Sequence, residues 1–137
     1  MANEDYRVYA KIDIVNAKHV LAVIKAHVGE KTEIMAIVKE NAYGHGAVAL
    51  SRLYNENGVF HFGVSSLDEA QELRSAGIKG EILVLGKLSP DSIEEIVTGD
   101  VTCMFSSAPE AEAFSKAAEK NGAKIKAHIK IDTGFSR

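Results

Sequence analysis

The sequence predicts an α/β fold on a parallel sheet, and three observations lead there. Five short apolar runs recur along the 137 residues, segments of helical period fill the intervals, and turn-forming residues punctuate both. Successive runs begin roughly 20 to 26 residues apart, which leaves room for a helix and two short loops. Strand–helix repetition with short connections produces parallel pairing through right-handed crossovers. Periodicity alone does not separate an open doubly wound sheet from part of a (β/α)8 barrel.

In chain order, residues 7–12 alternate Val8, Ala10 and Ile12 with polar or amphipathic neighbours, the pattern of a half-exposed strand of some other sheet. Ala17, Leu21, Ile24 and Val28 form one helical stripe, and Gly29 follows as a stop. Residues 34–38 are apolar at every position, as expected of a strand covered on both faces. Residues 60–64, 82–85 and 101–105 read similarly. Ser66 with Glu69, and Ser107 with Glu110, have capping-box spacing at the starts of two helices. Pro90 after Ser89 suits a first helical turn, where its missing N–H costs nothing. Gly77, Gly99 and Asn121-Gly122 sit where the helices should end. The last strand, 127–131, alternates, so one face is polar. There is no linker, repeat or low-complexity segment. The chain stops at Arg137, just after the loop of the fifth strand and without a closing helix, and so reads as cut short.

Bulk properties narrow the function. Hydrophobic and charged fractions of 46% and 26% are those of an ordinary globular protein. A net charge of -3 and a pI near 5.9 argue against nucleic-acid or anionic-membrane partners, since no excess of cations exists to neutralise phosphates. No apolar run is long enough to cross a bilayer, and the first residues do not resemble a secretory signal. Cys103 is the single cysteine, which excludes an internal disulfide and a cysteine-based zinc site. No metal site is expected, a cytoplasmic setting is expected, and Cys103 and Met104 read as core.

Chemistry concentrates in two blocks. Lys39 ends the most apolar strand and is followed by Glu40-Asn41-Ala42-Tyr43-Gly44-His45-Gly46. Ligands of parallel α/β folds bind at the carboxyl ends of strands. A lysine held there beside apolar surface favours its neutral amine and is a candidate Schiff-base nucleophile, whereas an ordinary strand-end lysine is simply solvated. Gly44 and Gly46 free the turn into the next helix, whose first amides are placed to face a phosphate. The second block, Lys130-Ile131-Asp132-Thr133-Gly134-Phe135-Ser136-Arg137, follows the last strand.

The first block resembles the pyridoxal-phosphate motif of alanine racemases, Lys-x-(Asn/Asp)-Ala-Tyr-Gly-His-Gly. The second resembles their Lys-x-Asp-Thr-Gly-Met-x-Arg block, with Phe135 in place of Met and Ser136 where Gly is common; Glu40 stands where Ala is usual. The similarity runs from Tyr9-Ala10-Lys11-Ile12-Asp13 to Arg137. It implies that residues 1–137 are an incomplete N-terminal portion, about five βα units, of a (β/α)8 barrel, without the C-terminal β-domain. The implied reaction interconverts L- and D-alanine on pyridoxal 5'-phosphate, supplying D-alanine for peptidoglycan.

By that resemblance, Lys39 would hold the cofactor as a Schiff base and act as one of two opposed proton carriers. Tyr43 would bond the cofactor phosphate. Arg137 would lie near the cofactor ring oxygen and the substrate carboxylate, and Lys130 is a candidate carbamylated lysine that orients it. The other base, a tyrosine of a partner subunit, and most of the phosphate cradle lie outside this stretch. The resemblance therefore implies a homodimer when full length, a need for the remainder of the racemase chain, and no activity from the isolated 137 residues. Serine-preferring racemases use the same blocks. A non-catalytic pyridoxal-phosphate-binding barrel shares the lysine without Tyr-Gly-His-Gly, and a lysine aldolase on the same barrel is a further alternative.

Overall fold

The computed structural model describes residues 8–136. Along the chain it contains α1 (Ile14–Val28), β1 (Met35–Ile37), a short α2 (Lys39–Tyr43), α3 (Ala47–Glu56), β2 (His61–Val64), α4 (Leu67–Ser75), β3 (Glu81–Val84), a 3₁₀ turn (Pro90–Ser92), α5 (Ile93–Thr98), β4 (Val101–Phe105), α6 (Ala108–Lys120) and β5 (Lys126–Ile129). Each of the five apolar runs is a strand, within two residues at either end. The strands pair in parallel in the order β1-β2-β3-β4-β5. That order removes the ambiguity left by periodicity. A doubly wound sheet reverses its strand order and carries helices on both faces, whereas right-handed crossovers taken always in one direction put them on one face, as in an arc of a barrel.

The core lies between sheet and helices. Phe62, Val64, Ile82, Val84 and Cys103 leave the strands fully buried and meet Leu73, Ile96 and Phe114 from the helices. The Phe105 and Phe114 rings tilt together with centroids 5.0 Å apart. Burial pushes the Cys103 thiol up to about 11, so it behaves as an inert apolar residue.

Three sequence expectations change. Residues 8–12 form no strand, and Val8 and Tyr9 are exposed; an alternating segment becomes a strand only beside a neighbour, and no described strand runs alongside it. Of 34–38, only Val38 is buried, and Ile37 opens onto the helix-free face of the sheet. The α1 stripe is buried at Leu21 and partly at Ala17, but Ile24 and Val28 are exposed. This helix is capped by Asp13, whose Oδ1 accepts from the Val15 and Asn16 amides at 2.9 and 3.0 Å.

Toward the amino ends of the strands the helix-free face is polar. A Glu81 oxygen pairs with His61 Nδ1 at 2.9 Å and the other with His128 Nε2 at 3.1 Å, while His61 Nε2 faces Glu33 at 3.3 Å. Partial burial works to raise the Glu81 carboxyl, but the His61 hydrogen bond and the two imidazoles outweigh it and hold it below 4.5. A depressed carboxyl contributes stability above its unfolded value and loses it as the pH falls through the folded one. Glu81→Gln is therefore expected to flatten the decline of melting temperature below pH 4.5, measured by thermal melts across that range.

Candidate functional site

The chain leaves β1 by an unusual route. Val38 still pairs with the sheet, its amide donating to Gly63 O at 2.9 Å. Glu40, Asn41 and Ala42 then each take φ 52° with ψ between 44° and 50°, and Tyr43 follows at φ 54°. This is a left-handed helical turn without a glycine. Each L-residue in it costs roughly 1–2 kcal/mol, so surrounding contacts must impose it. Within the turn, Ala42 is buried and its amide donates to Val38 O at 2.8 Å. Asn41 Oδ1 accepts from the Ala47 amide at 2.8 Å, and Gly44, φ 85°, ends the turn. The bond to Asn41 also occupies the first amide of α3, so that amide is not available to a phosphate as its position in the sequence suggested.

The remaining anchor comes from the next βα unit. Glu69 Oε1 accepts from the Glu40 amide at 2.6 Å, and Oε2 accepts from the Ser65 amide and hydroxyl at 2.7 and 2.8 Å. The Ser65 hydroxyl also lies 3.0 Å from Glu40 Oε1. Ser66 caps α4 as expected, accepting from the Glu69 amide, but the Glu69 carboxylate reaches one residue further back than a capping box does. Glu110 repeats this displaced cap on α6, bonding the Ser106 amide at 3.0 Å. Partial burial tends to raise the Glu69 carboxyl; the donors from Ser65, then Glu40 and the Ser66 amide, prevail and hold it below its ordinary value. Neither Glu69 nor Ser65 stood out in the sequence beyond the cap spacing.

All five strands deliver a residue to one cavity of about 350 Å³ at their carboxyl ends, lined by Lys39, Ser65, Leu85, Gly86, Met104 and Lys130. Lys39 is half-buried, its Nζ 6.0 Å from the Tyr43 ring centroid, and no carboxylate among the described residues pairs with it. Tyr43 is exposed. Lys130 follows β5, its amide donating to Phe105 O at 2.8 Å, and its side chain shares the cavity with Lys39. Met104, read as core, is half-buried and forms a wall here. β5 itself is exposed along its length. Beyond it, Asp132 Oδ1 accepts from the Gly134 and Ser136 amides at 2.9 and 3.0 Å and folds the loop back on itself. Arg137 lies outside the described residues.

Gly86 is fixed by close approach: a Cβ there would meet Ser65 O at 2.1 Å. Gly86→Ala must push the loop after β3 away from the one after β2. The expected loss is ~1–3 kcal/mol of stability, measured by denaturant titration.

The chain matches a family model described as alanine racemase, N-terminal domain, over residues 12–137. It is 42% identical over 130 residues to an alanine racemase of Methanococcus maripaludis, spanning 95% of this chain and 35% of that protein. It superimposes on an alanine racemase of Clostridium difficile 630 in complex with cycloserine, with a TM-score of 0.92 and 31% identity, over 98% of this chain and 37% of that one. A histidine racemase from Leuconostoc mesenteroides is also similar, with a TM-score of 0.83 and 33% identity over 90% and 33% of the two chains. The chain thus spans about a third of the length of these relatives.

Proposed function

Because the chain belongs to the alanine racemase N-terminal domain family, we propose that it supplies the lysine side of a pyridoxal-phosphate-dependent amino-acid racemase, with alanine as substrate. The observation that carries this reading is the placement of Lys39 and Lys130 on one cavity at the strand carboxyl ends, walled by Leu85 and Met104. Among the described residues, two amines and no carboxylate line that cavity, a donor set suited to an anionic aldehyde. Pyridoxal phosphate, when bound, supplies the sink for the electron pair left as the substrate α-proton departs.

The chain's own groups do the rest. The Lys39 amine holds the cofactor and, once released by substrate, carries a proton at Nζ on one face of the substrate. The Tyr43 hydroxyl, on an exposed side chain four residues after Lys39, binds the cofactor phosphate. Arg137 takes the substrate carboxylate with its planar fork of donors. Carbamylated Lys130 orients that guanidinium. The full-length enzyme is a cytoplasmic homodimer whose partner subunit supplies the opposing base, and the isolated segment is inactive.

The test is addition of pyridoxal phosphate followed by borohydride. A reduced adduct mapped to Lys39 supports the reading; an adduct confined to other lysines removes it. Intact mass settles Lys130, where an unmodified side chain excludes the carbamate. Substrate identity is the second question, because a histidine racemase is also similar, at 33% identity against 31% and 42% for two alanine racemases. Racemisation of alanine, serine and histidine by the full-length polypeptide distinguishes those substrates, and a protein that traps the cofactor but racemises none is a binding barrel.

A further inference from the structure

We propose that Glu69 is a positioning residue for Lys39, its carboxylate setting the left-handed turn that aims the amine into the cavity. The inference rests on Lys39 being the cofactor lysine. Glu69 belongs to the βα unit after the one carrying Lys39, yet its Oε1 accepts from the amide directly following Lys39, that of Glu40, at 2.6 Å. Its other oxygen is held by the Ser65 amide and hydroxyl, and Ser65 itself lines the cavity. One carboxylate therefore ties the carboxyl ends of β1 and β2 together at the cavity wall.

Glu110 is an internal comparison for this assignment. It occupies the same position on α6 and grips Ser106 as Glu69 grips Ser65, but the bonds of its carboxylate go to its own loop. Helix capping accounts for every hydrogen bond made by the Glu110 carboxylate, and it does not account for the bond from Glu69 to Glu40. The extra bond falls on a turn whose four residues all sit in the left-handed region, where local preference opposes the conformation. A glutamine at position 69 offers one acceptor oxygen, so the Glu40 and Ser65 amides can no longer both be satisfied by different oxygens.

The experiment measures two things in the full-length polypeptide: the rate of borohydride-trapped pyridoxal phosphate at Lys39, and hydrogen exchange of the Glu40 amide. In E69Q, trapping at Lys39 is expected to slow roughly 10- to 100-fold, the scale on which misplaced reactants lose rate. Exchange at Glu40 should rise in parallel. S65A, which removes only the hydroxyl, should give a smaller change in the same direction, and it carries the test should E69Q not fold. E110Q should lower the melting temperature while leaving both readouts as they were. Unchanged trapping in E69Q and S65A with Glu40 still protected overturns the proposal, as does equal slowing in E110Q. If the unsubstituted protein traps nothing at Lys39, the cofactor reading falls instead, and Glu40 protection still decides whether Glu69 holds the turn.

Discussion

Lys39→Ala is expected to abolish trapping of pyridoxal phosphate on the peptide carrying position 39 and to cut racemisation by a full-length enzyme containing this sequence ~10²–10⁴-fold, the range a positioned proton carrier contributes. The fold should survive, because the side chain is half-buried and pairs with no carboxylate among the described residues. Lys39→Arg tests the same point from the other side: it keeps a cation at the cavity but has no amine able to condense with an aldehyde. Both variants are checked by mass mapping after borohydride and by D-alanine formation. Retained trapping in Lys39→Ala, with the adduct moved to Lys130, would transfer the role to the second amine of the cavity.

Phe62→Ala should cost the most stability, ~3–5 kcal/mol, and lower the melting temperature by roughly 10–20 °C. The ring is fully buried at the centre of β2, in register between Ala36 of β1 and Ile82 of β3. Its loss leaves a hole between the sheet and its helices that rigid neighbouring strands close only in part. The damage also reaches the site. Phe62 adjoins Gly63, whose carbonyl receives the Val38 amide, and β2 leads into Ser65. Cofactor retention should therefore fall with the melting temperature, read by calorimetry and absorbance on the same samples.

The strands and their order of use were legible because an apolar run bounded by turn residues has few other readings. Which face a strand presents was less so. Residues 34–38 are apolar throughout, and apolarity reports that a face is kept from water without saying what covers it; Ile37 faces the helix-free side. The site was half legible. Lys39 and Lys130 at strand ends followed from periodicity, and the roles expected of them from the resemblance of their blocks. The left-handed turn was hidden, since Glu40-Asn41-Ala42-Tyr43 contains only one residue, Asn41, with any tolerance for that region. One of its bonds comes from Glu69, more than 20 residues away, and the strand end before it is held by Gly63. The capping spacing pointed to Glu69 for its local duty alone.

The turn after Lys39 also bears on the order in which the molecule assembles. Local bonds such as that from the Ala47 amide to Asn41 Oδ1 close the turn, but four successive L-residues in the left-handed region oppose it, so in a newly made polypeptide the segment has little reason to hold it. The second βα unit adds the Glu69 carboxylate to the turn and the Gly63 carbonyl to the strand end before it, so the turn is expected to settle after that unit has docked. The Lys39 amine is thus expected to reach its place late, after the sheet beneath it has formed. Substitutions within the turn should accordingly speed unfolding and leave the folding rate almost untouched.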